Sequence, residues 1–183
     1  PEGATAVATA AEAGGFEADL TVTRLSDDRF LVVVGENSHG HTEMRMRRQL
    51  RPGEVAVITD LTPGITQINI HGPKARALMQ QVTSADMSND AFPFMTWQDI
   101  DVGYWHVRAF RVTFVGELGW ELQVPCYAAV QIYDLLKSAG AAFGLRDAGM
   151  QTLNSLRLEK AYRDFGLDVD NTDLSLRPGM TAT

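Results

Sequence analysis

The sequence predicts an α+β fold in which antiparallel sheets pack against helices. Short strand-like segments are joined by tight turns rich in glycine, proline and aspartate, and amphipathic helical segments lie between them. Of the 183 residues, 45% are hydrophobic and 21% are charged, which is ordinary for a globular chain, so we expect a packed core. Hairpins mixed with helices favour antiparallel pairing over parallel pairing. The length suits one domain or two small interwoven subdomains.

The first strands are predicted on either side of a turn. Leu20 and Val22 share one face of a strand, and Asp19 lies on the other face. After a turn at residues 26–29, residues 30–34 form an unbroken apolar run. Such a run predicts a strand that is buried on both faces.

A helix and two more strands follow. Asn37 or Ser38 caps the predicted helix, which runs to about Leu50 before a Pro-Gly pair ends it. Residues 55–59 and 65–70 are both predicted to be strands because they are rich in β-branched residues and bounded by turn residues.

The rest of the chain predicts a helix, a hairpin, a strand and two further helices, which span residues 73–82, 97–114, 119–124, 127–139 and 149–163. Pro73 is placed for the first turn of its helix. The apolar phase of the hairpin shifts near Arg108, which predicts a β-bulge there. In the last helix, we expect Met150, Leu153 and Leu156 to face inward.

Composition argues against several classes of function. The net charge of −7 argues against a nucleic-acid surface, because phosphate binding needs clustered cations. No apolar run approaches about 18 residues, and the first residues lack the order of a signal peptide, so we expect neither a membrane span nor an export signal. Cys126 is the only cysteine, which agrees with a reducing compartment. These features predict a bacterial cytoplasmic protein, or a mitochondrial matrix protein in a eukaryote.

Common cofactor and metal motifs are missing from the sequence. No Gly-x-Gly-x-x-Gly follows a strand and no Walker loop is present, so we expect FAD only in a domain outside this chain. His39 and His41 flank Gly40 with Glu43 nearby, but they lack the ligand spacing of a closed metal site. We therefore predict no metal.

The most informative segment is Phe-Val-Gly-Glu-Leu-Gly-Trp-Glu-Leu, which ends at Leu122. Two glycines flank a tight turn that carries two carboxylates, and an alternating strand follows. Glu121 lies on the face opposite Trp120 and Leu122. A carboxylate there accepts two parallel hydrogen bonds from an amide N–H and an adjacent amino group, which is the donor edge of a reduced pterin. The alternative is a plain hairpin with a solvated glutamate.

A second candidate site lies where Asp19 begins the polar face of a strand, after the glycine pair Gly14 and Gly15. Paired glycines permit close approach of the backbone to a ligand. A carboxylate held there stabilises a developing ammonium or moves a proton. The alternative is an ordinary aspartate at a strand entrance.

Four strings arrive in order along the chain: Gly-Gly-Phe-Glu-Ala-Asp-Leu-Thr-Val from Gly14, His-Gly-Pro-Lys-Ala from His71, Val-Gly-Glu-Leu-Gly-Trp-Glu-Leu from Val115 and Asn-Ser-Leu-Arg-Leu-Glu-Lys-Ala-Tyr-Arg from Asn154. Together they resemble the folate-binding aminomethyltransferase family, whose founding member is the T-protein of the glycine cleavage system. The last two strings look closest to the C-terminal part of dimethylglycine and sarcosine dehydrogenases or oxidases. The resemblance covers about residues 14–179.

The resemblance implies a role for each candidate residue. In the family, an aspartate at the position of Asp19 approaches the folate nitrogens that accept the one-carbon unit. A glutamate at the position of Glu121 holds the pterin edge. Gly14, Gly15 and Tyr104 complete the set of residues that we expect to contact tetrahydrofolate.

One departure argues against a plain T-protein. That protein carries a folate-contacting arginine in an Ala-Arg-Asp-Ser-Leu-Arg-Leu-Glu string, where this chain has Leu153. The flavin-linked relatives also have an apolar residue at this position. Arg157 belongs to the shared string, and we expect it to support its helix.

The resemblance implies that residues 1–183 form an incomplete folate-binding domain, without the start of the family's domain and without its C-terminal barrel. The implied enzyme pairs this domain with a flavin domain of the same polypeptide, which oxidises an N-methyl amino acid to an iminium. Tetrahydrofolate then captures the methylene carbon. The alternatives are a free-standing aminomethyltransferase or folate-dependent demethylase, and a non-catalytic folate-binding accessory domain.

Overall fold

The computed structural model describes residues 4–10, 16–170 and 172, which fall into two compact units. Unit 1 contains residues 61–162. Unit 2 joins residues 4–60 to the described residues from 163 onward. The predicted α+β class with antiparallel sheets is confirmed.

Unit 2 contains a three-stranded antiparallel sheet in the order β1-β2-β3, followed by a helix. The elements are β1 (Ala4–Ala10), β2 (Phe16–Arg24), β3 (Phe30–Val34) and α1 (His39–Arg48). Strand β1 was not predicted, because alanine and threonine give a weak apolar alternation and its pairing with β2 decides its structure. On β2, Phe16, Ala18 and Leu20 are buried on one face.

Three expectations for unit 2 are corrected or refined by the structure. Phe30 is 56% exposed, so β3 is an edge strand and is not buried on both faces. Helix α1 is preceded by Ser38 as predicted, but the Ser38 hydroxyl donates to the Gly35 carbonyl and caps no helical N–H. Residues 55–59 form no strand, and Val55 is 93% exposed. The β-branched pattern was present there, but no neighbouring described strand pairs with it.

Unit 1 contains a four-stranded antiparallel sheet in the order β4-β7-β6-β5. Its elements are β4 (Ile65–His71), α2 (Ala75–Val82), β5 (Trp97–Val102), β6 (Trp105–Phe110), β7 (Gly119–Pro125), α3 (Ala129–Gly140) and α4 (Met150–Glu159). One face of the sheet is buried in an apolar core to which α2 and α3 also contribute. Trp120, Leu122 and Val124 of β7 are completely buried in it. The other face of the sheet is polar.

The structure also corrects three expectations in unit 1. No bulge interrupts the pairing of β5 with β6 at Arg108. The apolar phase shifts because Ala109 and Phe110 are both buried, although neighbours on a strand point to opposite faces. Pro73 lies in the turn before α2, which begins at Ala75. Met150 is 68% exposed, and the buried residue of α4 is Arg157.

Arg157 is only 3% exposed and supports the end of its helix. Its Nε donates to Asn154 Oδ1 at 3.0 Å, and its Nη1 donates to the Tyr162 carbonyl at 3.0 Å. The guanidinium also lies 5.8 Å from the Phe114 ring centroid.

Among the described helices, none is both long and apolar enough to cross a membrane.

Candidate functional site

The polar side of the sheet in unit 1 carries two parallel rows of side chains, which we call the polar sheet face. Each row takes one residue from each strand. The first row is Trp97, Phe110, Glu121 and Asn69, and the second row is Asp99, Arg108, Gln123 and Gln67. The odd residues of β7 lie on this face because Trp120, Leu122 and Val124 occupy the core side.

Glu121 lies in the first row, between Phe110 and Asn69. Gln67 Nε2 donates to Glu121 Oε2 at 3.1 Å and also to Asn69 Oδ1 at 3.1 Å. Within the described part of the chain, no cation forms an ion pair with Glu121. The carboxylate therefore keeps one oxygen without a partner and has a single neutral donor on the other.

Burial raises the pKa of Glu121 from its ordinary value near 4.5 to about 7. Desolvation disfavours the charged carboxylate, and no neighbouring cation offsets this cost. At neutral pH both protonation states are populated. A ligand that offers N–H donors would stabilise the ionised form.

Aromatic side chains flank the carboxylate on the same row. The rings of Trp97 and Phe110 lie 6.5 Å apart at an interplanar angle of 31°. The Trp97 indole N–H is buried and has no hydrogen-bond partner among the described residues. Arg108 stacks 4.8 Å from the Trp97 ring centroid and donates to both oxygens of Asp99, so that its charge is already engaged. Phe110 is buried, so the half-buried Trp97 ring is the aromatic surface of this row, and such a surface near a carboxylate and amides suits a planar heteroaromatic ligand.

The two carboxylates of the predicted turn have different environments. Glu117 pairs with Lys160 at 3.3 Å. Glu121 has no such partner in the described residues. Gly116, directly before Glu117, has a left-handed φ of 68°.

The start of β7 is fixed by close packing against β4. A Cβ at Gly119 would lie 2.2 Å from His71 Cδ2 and 2.3 Å from the Ile70 carbonyl oxygen. The His71 ring also lies within hydrogen-bond distance of the Val112 carbonyl, at 3.2 Å. Burial lowers the pKa of His71, and the bond to Val112 opposes that shift. These contacts place Glu121 two residues into the strand.

In unit 2, Asp19 lies on β2, on the face opposite Phe16 and Leu20. It is half-buried. Burial, and to a lesser extent the negative charge of Asp164, raises the pKa of Asp19 from 3.8 to about 6. A carboxyl group with a pKa in this range takes up and releases protons near physiological pH.

Glu17 lies two residues before Asp19 on the same face of β2 and anchors α1. Its Oε1 lies 2.7 Å from His41 Nε2 and 3.3 Å from Arg45 Nη1. His39 lies 3.7 Å from Asp60. Across the described residues, no group of three or more histidine, cysteine, aspartate or glutamate side chains is arranged to hold a metal ion.

The remaining predicted residues are placed as follows. Gly14 and Gly15 lie outside the described residues. Tyr104 is fully exposed at the turn between β5 and β6. Asp19 belongs to unit 2, and Glu121 belongs to unit 1.

Sequence reasoning missed Gln67 and Asn69. The alternation of Thr66, Ile68 and Ile70 implied that these two amides share the other face of β4. Only the register of β4 against β7 shows that Asn69 faces Glu121.

Comparison with known proteins adds a family and a fold. The family model described as "GCVT N-terminal domain" matches residues 4–183. The chain is 36% identical to human mitochondrial sarcosine dehydrogenase over 93% of the chain and 20% of that protein. It is also 36% identical to the 4-methylaminobutanoate oxidase (formaldehyde-forming) of Paenarthrobacter nicotinovorans, over 92% of the chain and 20% of that protein. The chain thus spans about a fifth of the length of these curated relatives.

A solved structure is similar in fold. The glycine cleavage system aminomethyltransferase T from Bartonella henselae matches with a TM-score of 0.75 at 22% identity. The match covers 93% of this chain and 44% of that protein.

Proposed function

This chain belongs to the GCVT N-terminal domain family, and on that premise we propose that it is the tetrahydrofolate-binding domain of a larger flavin-dependent enzyme that oxidises sarcosine, dimethylglycine or a similar N-methylated amino acid. The domain captures the one-carbon unit as methylene-tetrahydrofolate. The identity to a sarcosine dehydrogenase along 93% of the chain supports this proposal.

The observation that carries the proposal is the state of Glu121. Its carboxylate is half-buried, has one hydrogen bond from Gln67, and pairs with no described cation. The pterin ring of tetrahydrofolate presents two adjacent N–H donors on one edge. A carboxylate with unfilled acceptor positions beside aromatic surface fits that edge in geometry and in polarity.

The proposed reaction has an oxidation step followed by a one-carbon transfer. A flavin held by the rest of the polypeptide would accept a hydride from the N-methyl group, which would leave an iminium. The iminium carbon becomes bonded to two folate nitrogens, and its bond to the amino-acid nitrogen breaks. The two protons displaced from the folate nitrogens end on the released amine. Asp19 would carry protons in this exchange, which a pKa of about 6 permits.

The first oxidation belongs outside this chain. The sequence has no dinucleotide-binding fingerprint, and the relatives are about five times as long as the matched region. The rest of such a polypeptide would bind FAD. Glu121 would orient the folate, and orientation is a general source of rate enhancement when two substrates must meet.

The test uses Asp19→Ala in the full-length protein and follows the two half-reactions separately. We expect flavin reduction by the methylated amine to keep its rate. Formation of methylene-tetrahydrofolate should fall by roughly 10²–10⁴, as expected for loss of a positioned acid–base group. Free formaldehyde should rise to match, because the stranded iminium hydrolyses in water.

The exposed Asp134→Ala on α3 is the matched control and should behave like the parent protein. If Asp19→Ala forms the folate product at the parental rate, Asp19 is structural and its assignment is wrong. If the parent protein itself forms no methylene-tetrahydrofolate from sarcosine or dimethylglycine, the proposed function fails.

The second candidate is a free-standing aminomethyltransferase, which the fold match with aminomethyltransferase T favours. Leu153 argues against it, because the T-protein has a folate-contacting arginine in the corresponding string. A folate product that forms from an aminomethyl donor without any flavin reduction would favour this candidate.

A further inference from the structure

Asn69 lies directly opposite Glu121 on the neighbouring strand. The two residues are Cα partners in the pairing of β4 with β7, and both side chains lie on the polar sheet face. Residues opposed in this way have Cβ atoms about 4.5–5.5 Å apart. Asn69 is exposed, so its amide is accessible to a ligand that reaches Glu121.

Gln67 fixes the orientation of both side chains. Its Nε2 group has two hydrogens, and it donates to Glu121 Oε2 and to Asn69 Oδ1, each at 3.1 Å. Because Asn69 Oδ1 faces Gln67, the Nδ2 group of Asn69 is directed elsewhere. No described residue accepts a hydrogen bond from that group.

Glu121 and Asn69 together present a defined pattern of hydrogen-bonding groups. The carboxylate offers acceptors, and the adjacent amide offers a donor. A 2-amino-4-oxopteridine has the complementary order along one edge: an amino donor, a ring N–H donor and a carbonyl acceptor. A carboxylate alone accepts hydrogen bonds from the two donors and leaves the carbonyl of the pterin without a donor.

Two other described side chains near Glu121 are engaged elsewhere. Arg108 donates to Asp99, and it lies one row away from Glu121. His71 lies against the Val112 carbonyl. Asn69 is the donor directly opposite Glu121 on the same row, whereas the buried Trp97 indole N–H lies at the other end of that row, beyond Phe110.

We propose that Asn69 is the specificity-determining residue of the folate site, where its Nδ2 group donates to the 4-oxo group of the pterin while Gln67 holds the amide in that orientation. This inference rests on the proposed function, because it assumes that Glu121 binds the adjacent N–H donors. It adds a prediction that folate binding alone does not make. The site should discriminate between 4-oxo and 4-amino pteridines through Asn69.

The experiment measures the affinity of the full-length protein for tetrahydrofolate and for its 4-amino analogue by titration calorimetry. The compared quantity is the ratio of the affinity for tetrahydrofolate to the affinity for the 4-amino analogue. Glu121 is present in the parent and in the Asn69 variants, so its contribution to binding cancels when their ratios are compared. Asn69→Leu should weaken tetrahydrofolate binding by roughly tenfold, the value of about one hydrogen bond, and should leave the 4-amino analogue unweakened. Asn69→Asp should lower the preference for the 4-oxo compound further, since its carboxylate accepts from the 4-amino group.

Gln131→Glu adds the same charge on the exposed side of α3, which packs against the core face of the sheet and not against the polar sheet face, and should leave the ratio unchanged. If tetrahydrofolate binds the parent and both Asn69 variants keep the parental ratio, Asn69 does not read the pterin and this inference is overturned while the proposed function stands. If the parent binds neither compound, both are overturned.

Discussion

The buried carboxylate of Glu121 costs stability in its ionised form, and the proposed folate binding gives a reason for its presence. Burial of its carboxylate beside Phe110 and Trp97, without a cation, disfavours the charged form in the folded protein. A residue chosen for stability at this position would be neutral or apolar. Among the described residues, one oxygen of the carboxylate has no hydrogen-bond partner. A ligand with two N–H donors would find an acceptor there that is partly shielded from water.

The raised pKa of Glu121 predicts a pH-dependent stability. Between about pH 4.5 and pH 7 the folded state binds more protons than the unfolded state, so the free energy of unfolding falls as the pH rises through this window. Glu121→Gln has no carboxylate to ionise at this position, so it does not undergo this fall in the free energy of unfolding. The variant should therefore gain stability relative to the parent as the pH rises from 5 to 8, measured by urea unfolding at both values.

Asp19 also has a raised pKa. It is present in both the parent and Glu121→Gln, so its effect cancels when their free energies of unfolding are subtracted. The exposed Glu159→Gln serves as the control and should show the same difference from the parent at both pH values. The difference in the free energy of unfolding between Glu121→Gln and the parent should be larger at pH 8 than at pH 5. If it is not, the pKa of Glu121 is not raised in the folded protein.

The same substitution should weaken reduced-folate binding. Replacing the carboxylate by an amide turns a charge-assisted pair of hydrogen bonds into a neutral one, and the expected loss is about 1–3 kcal/mol. In the parent, affinity should also fall as the pH is lowered through about 7, because protonation of Glu121 removes an acceptor. Titration calorimetry on the full-length protein measures both effects. Unchanged affinity would show that Glu121 does not bind the folate.

At the residue scale, the sequence predicted the candidate carboxylates but not their surroundings. Asp19 and Glu121 follow from alternation along a strand and from the resemblance of their strings to a family. The bond from Gln67 to Glu121 joins residues that are 54 positions apart. No local pattern encodes such a contact, because it depends on the register between two strands.

At the scale of elements, the errors arise where pairing overrides local propensity. Residues 55–59 have the stronger β-branched pattern but form no strand, whereas the alanine-rich β1 pairs with β2 along its length. In α4, apolar spacing pointed to Met150 as an inward residue. The long side chain of Arg157 is buried instead, because carbonyl and amide acceptors from Tyr162 and Asn154 satisfy it.

Gly119 gives a sharp test of the packing that places Glu121. An alanine Cβ would overlap the backbone of β4, at 2.3 Å from the Ile70 carbonyl oxygen, where no flexible side chain can yield. We expect Gly119→Ala to lower the free energy of unfolding by about 2–4 kcal/mol, measured by chemical denaturation.

Gly40→Ala is the matched control for that prediction. Gly40 lies within α1, and a Cβ there meets nothing within 4 Å. The change should raise the free energy of unfolding by about 0.5–1 kcal/mol, because alanine is the better helix former. Equal effects of the two substitutions would contradict the close approach of β7 to β4.

At the scale of the whole molecule, the two candidate carboxylates lie in different compact units. Unit 2 is discontinuous in sequence, since the described residues after 162 group with residues 4–60. The negative charge of Asp164 acts on Asp19 within this unit, although 145 residues separate them in sequence. The group proposed to carry protons and the group proposed to bind the pterin thus belong to different units of one chain.

The proposed placement of amine oxidation in a separate flavin domain predicts how residues 1–183 behave alone. The chain has no Gly-x-Gly-x-x-Gly fingerprint after a strand, and its described helices follow none of the glycine-rich turns that bind a dinucleotide pyrophosphate. We therefore expect residues 1–183, purified alone, to show no flavin absorbance between about 350 and 500 nm and no amine oxidation, whereas the full-length protein shows both. Absorbance spectra normalised to protein concentration check this directly. Circular dichroism of the fragment is the necessary control, because an unfolded fragment would also lack flavin. Stoichiometric FAD in a folded preparation of residues 1–183 would overturn the assignment of oxidation to another domain, and the one-carbon capture would then have to share its domain with the flavin.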